Sequence, residues 1–134
     1  MSGRATAGAN QPPPLAHYDL FGQNRPLAEA LEREGAGWAA ERASALGELL
    51  AGEPADWARL ANENPPKLRT HDRFGNRIDE VEFHPAWHSL MATSVSHGVH
   101  ALSWRDPREG AQVARAALFF LVAQVEAGTR ARFR

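Results

Sequence analysis

Two histidines four residues apart, His84 and His88, are the first side chains in this sequence whose spacing could do chemistry. On one helix face such a pair can hold zinc, with a glutamate beside the first histidine acting as general base. Here Pro85 follows His84 directly and the glutamate is missing. Proline favours the first turn of a helix, so His84 falls at or before the helix start and the shared face is lost. His97 and His100 straddle Gly98, with no third ligand at metal-binding spacing. These histidines are expected to cap helices or hydrogen-bond rather than bind metal.

The carboxylates Asp72, Asp79, Glu80 and Glu82 surround Arg73 and Arg77. A carboxylate pair can perform acid–base catalysis, but alternating charges on a hairpin ordinarily form cross-strand or solvated pairs. The four tryptophans, Trp38, Trp57, Trp87 and Trp104, lie on separate apolar stripes and are expected to pack cores and interfaces. The basic end RARFR, Arg130 to Arg134, reads as solvated. There is no G-x-G-x-x-G after a strand, no P-loop and no Ser-His-Asp order. The sequence therefore assigns no catalytic, cofactor-binding or metal residue.

The chain of 134 residues suits one domain. Fifteen basic residues against 16 acidic give a formal charge of -1, which excludes the basic excess that direct nucleic-acid binding requires. The absence of cysteine removes disulfides and thiol chemistry. MSGRATAGANQPPP lacks the apolar core of a signal peptide. The longest apolar run, Ala116 to Ala123, is far short of the roughly 20 residues that span a bilayer. A soluble, cytoplasmic chain is expected, with no membrane partner.

Residues 1–15 are small, polar and proline-rich, and predict a disordered or extended tail. Helices are predicted over Pro26 to Glu34, Gly37 to Ala51 and Pro54 to Asn62, with inner stripes of Leu27, Ala30 and Leu31, then Trp38, Leu46, Leu49 and Leu50, then Trp57 and Leu60. Pro65 and Pro66 end the third. Gly75-Asn76 predicts a two-residue hairpin turn, since both residues tolerate positive φ. Val81 and Phe83 fall on one face of the outgoing strand, and Glu80, Glu82 and His84 on the other. Pro85 then opens a fourth helix, with Trp87, Leu90, Met91 and Val95 at helical spacing and Gly98 as its stop. Asp106-Pro107-Arg108-Glu109 reads as a capping box that opens a fifth helix running to Gly128.

That fifth helix carries AALFFLVAQV from Ala116 to Val125, apolar on nearly every face. A helix apolar all round is a buried one. Either it is the centre of a small bundle, or another domain or subunit covers it. The second option predicts that the isolated chain self-associates.

Several separated motifs, taken in order, carry a resemblance. They are NQPPPL (Asn10–Leu15), REGAGW (Arg33–Trp38), ANENPP (Ala61–Pro66), THDRFGNRIDEVEFHPAWHSLM (Thr70–Met91), VARAA (Val113–Ala117) and QVEAGT (Gln124–Thr129). Together they resemble the N-terminal domain of the alkylation-response AidB-type proteins, a branch of the acyl-CoA dehydrogenase flavoproteins. The resemblance implies a mostly α fold, about five helices with one short β-hairpin, over residues 16–129. It implies a structural cap on a flavoenzyme whose FAD, catalytic base and DNA-binding surface all lie in later domains, so none of those residues is carried over. It also implies that the fifth helix meets a β-domain, a C-terminal helical domain or a sister subunit. Arg33, Glu34, Arg115 and Glu126 are expected to make polar contacts between helices or domains. After QVEAGT the residues 130–134 leave the family pattern, and the expectation is a chain interrupted before its β-domain. The alternative to the cap is a free-standing helical module that binds a partner protein through the fifth helix.

Overall fold

The computed structural model of the chain describes residues 18–125. The proline-rich segment 1–15 and the basic end 130–134 lie outside the described residues. The architecture is mostly helical. In chain order it comprises α1 (Arg25–Arg33), a 3-10 turn (Gly37–Ala39), α2 (Ala40–Leu50), α3 (Glu53–Glu63), β1 (Lys67–His71), β2 (Arg77–Glu82), α4 (Pro85–Ser96), α5 (Leu102–Arg105) and α6 (Ala111–Val125).

Local chemistry explains most of the boundaries. Asn24 caps α1 through its side-chain oxygen, which accepts from the Leu27 N–H at 3.2 Å, and Pro26 sits in the first turn, where no donor is needed. Gly98 ends α4 with φ +72°, in the left-handed region where glycine carries no Cβ penalty.

Helix α6 packs against α1, α2, α3 and α5. The main core gathers Phe21, Leu31, Leu46, Leu50, Val99, Leu102, Leu118, Leu121 and Val122, with Ala114 and Ala117 allowing close approach to α6. Ala58, Ala86 and Leu90 are buried outside that cluster, where α3 packs on α4. Phe21 precedes every predicted element, and it reaches the core beside Gly47 of α2. A Cβ at Gly47 would stand 2.8 Å from the Phe21 backbone nitrogen.

The structure corrects four expectations. The fifth predicted helix does not begin at Asp106. A separate four-residue helix, α5, ends there, and α6 starts only at Ala111. The Asp106 carboxylate turns instead to Arg108, whose Nε donates at 3.1 Å. The interruption is Gly110, at φ +72°. Its Cα lies against the Gly35–Ala36 peptide so closely that a Cβ there would sit 2.6 Å from the Gly35 carbonyl carbon.

The hairpin turn has three residues rather than two. Asp72 donates its N–H to the Asn76 carbonyl at 2.9 Å, and its own carbonyl accepts from the Gly75 N–H at 3.2 Å. Gly75 has φ +85°, while Asn76 is not left-handed. This is a type I turn closed by a left-handed glycine. Asp72 selects it, because its carboxylate accepts from the N–H groups of Phe74 at 2.8 Å and Asn76 at 2.9 Å.

The strands pair antiparallel with Lys67 opposite Glu82, Leu68 opposite Val81 and Arg69 opposite Glu80, followed by a bulge before His71 meets Arg77. Asp79, within the bulge, has φ 47°, so simple alternation fails there. No residue of either strand is buried, so neither face of the hairpin is an inner face.

The predicted stripes are also shifted. The buried line of α4 is Ala86, Leu90 and Ser94, with Trp87 and Met91 half-buried and Val95 exposed. Leu49 of α2 is likewise exposed, and Pro54 and Ala58, not Trp57 and Leu60, are the buried residues of α3. Where α3 packs on α4, the small side chains Ala58, Ala86 and Ser94 take buried positions, and larger residues such as Trp57, Leu60 and Trp87 are only half-buried.

Candidate functional site

Three surfaces carry the side chains singled out by type. The first is the junction from β2 to α4. The extended backbone of His84 places its Nδ1 to accept from the Ala86 N–H at 3.2 Å, which caps α4. The rings of Phe83 and Trp87 stack with centroids 4.3 Å apart. His88 meets both edge-on, at 5.9 and 5.2 Å. One histidine therefore organises backbone and the other joins an aromatic cluster. Among the described residues no group of three histidine, aspartate or glutamate side chains could hold a metal ion.

Three of the four hairpin carboxylates, Asp72, Asp79 and Glu82, find partners within the hairpin itself. Arg69 on β1 reaches diagonally to Glu82 on β2, and Arg77 pairs with Asp79 at 2.6 Å. The Asn76 side chain and the turn N–H groups hold the Asp72 carboxyl below its ordinary titration range. The bond and charge from Arg69 do the same for Glu82. Arg73 stacks on Phe74, 4.5 Å from the ring centre. Glu82 also lines a small pocket of about 130 Å³ beside Lys67 and His84, with no second carboxylate in its wall.

The second surface is a cleft of about 490 Å³ between the end of α4, α5 and α2, lined by Arg42, Ser96, His97, Gly98, Leu102, Arg105 and Asp106. The His97 Nδ1 lies 2.9 Å from the Thr93 carbonyl, where it acts as donor. Beside the cleft the Arg108 guanidinium covers the Trp38 ring at 3.8 Å, and Trp38 donates from Nε1 to the Glu109 carbonyl at 3.0 Å. Trp38, Trp57 and Trp87 are half-buried, as packing residues should be. Trp104 is the exception at 80% exposure. Sequence reasoning missed this cleft because its walls come from three segments with no shared motif.

The third surface is the outer line of α6, where Gln112, Ala116, Phe120 and Gln124 are exposed at four-residue spacing. Within the run Leu118 to Leu121, the two leucines are fully buried, Phe119 is half-buried and Phe120 is 46% exposed. Of the expected polar contacts, Arg33 pairs with Glu34 at 2.8 Å at the end of α1. Arg115 donates from Nε to the His100 carbonyl at 3.3 Å, tying α6 to the turn after α4. Glu126 lies outside the described residues.

A family model described as the adaptive response protein AidB N-terminal domain matches residues 10–132. The chain belongs to this family. It is 49% identical over 122 residues to the AidB protein of Escherichia coli (strain K12), whose name places it with the acyl-CoA dehydrogenases. That match covers 90% of this chain and 23% of the relative. Among solved structures, the Bd2924 apo-form superposes with a TM-score of 0.77 at 24% identity, over 84% of this chain and 24% of the other. Caenorhabditis elegans ACDH-11, solved in complex with C11-CoA, superposes with a TM-score of 0.73 at 19% identity, over 96% of this chain and 22% of the other. These two likenesses establish the fold. The chain thus spans about a quarter of the length of the proteins it matches. No helix among the described residues is long and apolar enough to cross a membrane.

The acyl-CoA dehydrogenase kinship implies FAD in the full-length proteins. The described residues do not fit a flavin. The cleft of about 490 Å³ is walled by two arginines, a serine, a histidine and an aspartate, with Leu102 as its one large apolar residue. A flat ring system needs an apolar or aromatic wall on its faces, and the Phe83–Trp87 faces are already stacked on each other.

Proposed function

We propose that this chain is the N-terminal helical cap of an AidB-type, acyl-CoA dehydrogenase-like flavoprotein working in the cytoplasm. On this reading it shapes and closes the assembly but performs no chemistry alone. The later domains hold FAD and the substrate, and the connection to alkylation response belongs to the whole protein. One observation carries the reading: 90% of the chain aligns with just 23% of its AidB relative. The exposed Phe120 on an otherwise apolar helix agrees with it, because a half-covered aromatic on the last described helix is a natural seat for a following domain.

The test is reconstitution. The chain is co-expressed with an AidB-type protein lacking its own N-terminal domain. The reading predicts a copurifying, flavin-loaded complex. The chain alone should elute colourless and drive no acyl-CoA-dependent dye reduction. Flavin retained by the isolated chain, or failure of the two pieces to associate under conditions where each is folded, would refute it. Association with an unrelated protein in preference to the matched fragment would favour the free-standing interaction module.

A further inference from the structure

We propose that the cleft between Arg42, His97 and Arg105 is an anion site, built for the phosphate monoester of a small molecule. The proposal is independent of the domain-cap reading. Arginines on this surface are almost all engaged. Arg25, Arg33, Arg59, Arg69, Arg77 and Arg108 each pair with a carboxylate. Arg73 stacks on Phe74 and Arg115 donates to the His100 carbonyl. Among the described residues the side chains of Arg42 and Arg105 alone of the arginines make no ion pair, hydrogen bond or ring contact. They come from different helices, 63 positions apart in sequence by their numbers, and both line the same cleft.

Their local alternatives are already satisfied. The one carboxylate in the cleft wall, Asp106, is engaged by Arg108 through both Nε and Nη2. The carbonyls at the end of α4 that a cation might cap already accept backbone N–H groups. Thr93 takes His97 at 3.2 Å, Val95 takes Gly98 at 3.0 Å and Ser94 takes Val99 at 3.1 Å. Two exposed guanidiniums with no carboxylate paired to them therefore line a polar cavity of about 490 Å³, a size within the range of small-ligand sites. The guanidinium fork matches phosphate oxygens, and a phosphate monoester brings close to two negative charges, which balances two arginines.

The probe is phenyl phosphate, titrated into the isotope-labelled 134-residue chain and followed by amide chemical shifts. Inorganic phosphate and phenylacetate form two further arms, and sodium chloride at matched ionic strength is the control. The expected result is saturable shifts confined to Ser96–Gly98 and Leu102–Arg105 with both phosphates, and at least about ten-fold weaker binding of the monoanionic phenylacetate. Arg42→Ala and Arg105→Ala should each weaken phenyl phosphate by about ten-fold or more, while Arg25→Ala leaves it unchanged. If an alanine variant loses its helical circular dichroism, Arg42→Lys and Arg105→Lys replace it, with a smaller loss expected because the charge stays but the fork is gone. Non-saturating shifts, shifts reproduced by chloride, equal binding of phenylacetate, or full binding by a folded double variant would each overturn the proposal.

Discussion

Replacing Gly110 with alanine should be among the most damaging single changes available to this chain. Two costs add there. A non-glycine residue in the left-handed region costs about 1–2 kcal/mol, and Gly110 sits at φ +72°. The new Cβ would also stand 2.6 Å from the Gly35 carbonyl carbon and 2.7 Å from the Ala36 nitrogen, and closer still to the Gly35 oxygen. Those atoms are backbone, so relief requires α1 and α6 to separate, and overpacking of that kind adds about 1–3 kcal/mol. The sum is roughly 2–5 kcal/mol, a large share of the 5–15 kcal/mol typical of a domain. Gly75→Ala supplies the internal control. Gly75 has φ +85° but nothing within 4 Å of its added Cβ, so it meets the first cost alone. At about 4 °C per kcal/mol, Gly110→Ala should lower Tm by roughly 8–20 °C and Gly75→Ala by roughly 4–8 °C. Thermal and urea unfolding followed at 222 nm read both. Equal, small losses at the two positions would show that the Gly35–Gly110 crossing does not hold the helices together.

Gly75→Val should lower Tm at least as far as Gly75→Ala, while Asn76→Gly changes it little, because the left-handed φ resides at Gly75 alone; equal effects would refute the three-residue turn. Phe120→Gln should reduce self-association in a light-scattering concentration series, whereas Phe119→Gln, at a half-buried position, should lower stability by about 1–2 kcal/mol; a monodisperse wild-type chain at high concentration would remove the basis for an interface on α6. Asp72 titrates below its ordinary range, so the turn is favoured above the unfolded carboxyl pKa of about 3.9 and loses that support as pH falls through the lower folded value. Amide protection at Phe74 and Asn76, relative to the intrinsic exchange rate at each pH, should therefore fall only in strong acid, and a loss already complete near pH 5 would contradict the Asp72-centred turn.

Helix existence was legible wherever a cap and a stripe coincided. Asn24, Pro26 and Gly35 bracket α1, and Pro85 and Gly98 bracket α4, within a residue or two of the observed ends. Asp106-Pro107 looked equally persuasive as a helix start and was not one. What overruled it was the approach of Gly110 to Gly35, a long-range contact that local pattern cannot register. The hairpin was legible, but its turn type was not, because Gly-Asn suits a two-residue turn until Asp72 is seen taking the turn N–H groups. The apolar stripe of α4 misled because its buried line includes Ala86 and Ser94, whose smallness, not hydrophobicity, recommends them. The Arg42–Arg105 cleft had no motif to find. Its signal is what the other described arginines have and these two lack, and that is visible only once the carboxylates of the described residues have been placed.

The meeting of Gly35 with Gly110 also sets a timetable for synthesis. Trp38 and Glu109, bonded beside that crossing, are 71 residues apart, and the core of α1 and α2 is completed by α6. On the ribosome, Leu31, Leu46 and Leu50 are made long before the helix that covers them. At about 5–20 residues per second that gap lasts roughly 4–15 s. The first half of the chain must therefore wait with its apolar faces open, and it closes only when its last described helix has emerged. A stall anywhere between the hairpin and α6 would leave a nascent chain that presents leucines to solvent, the surface that holding chaperones recognise.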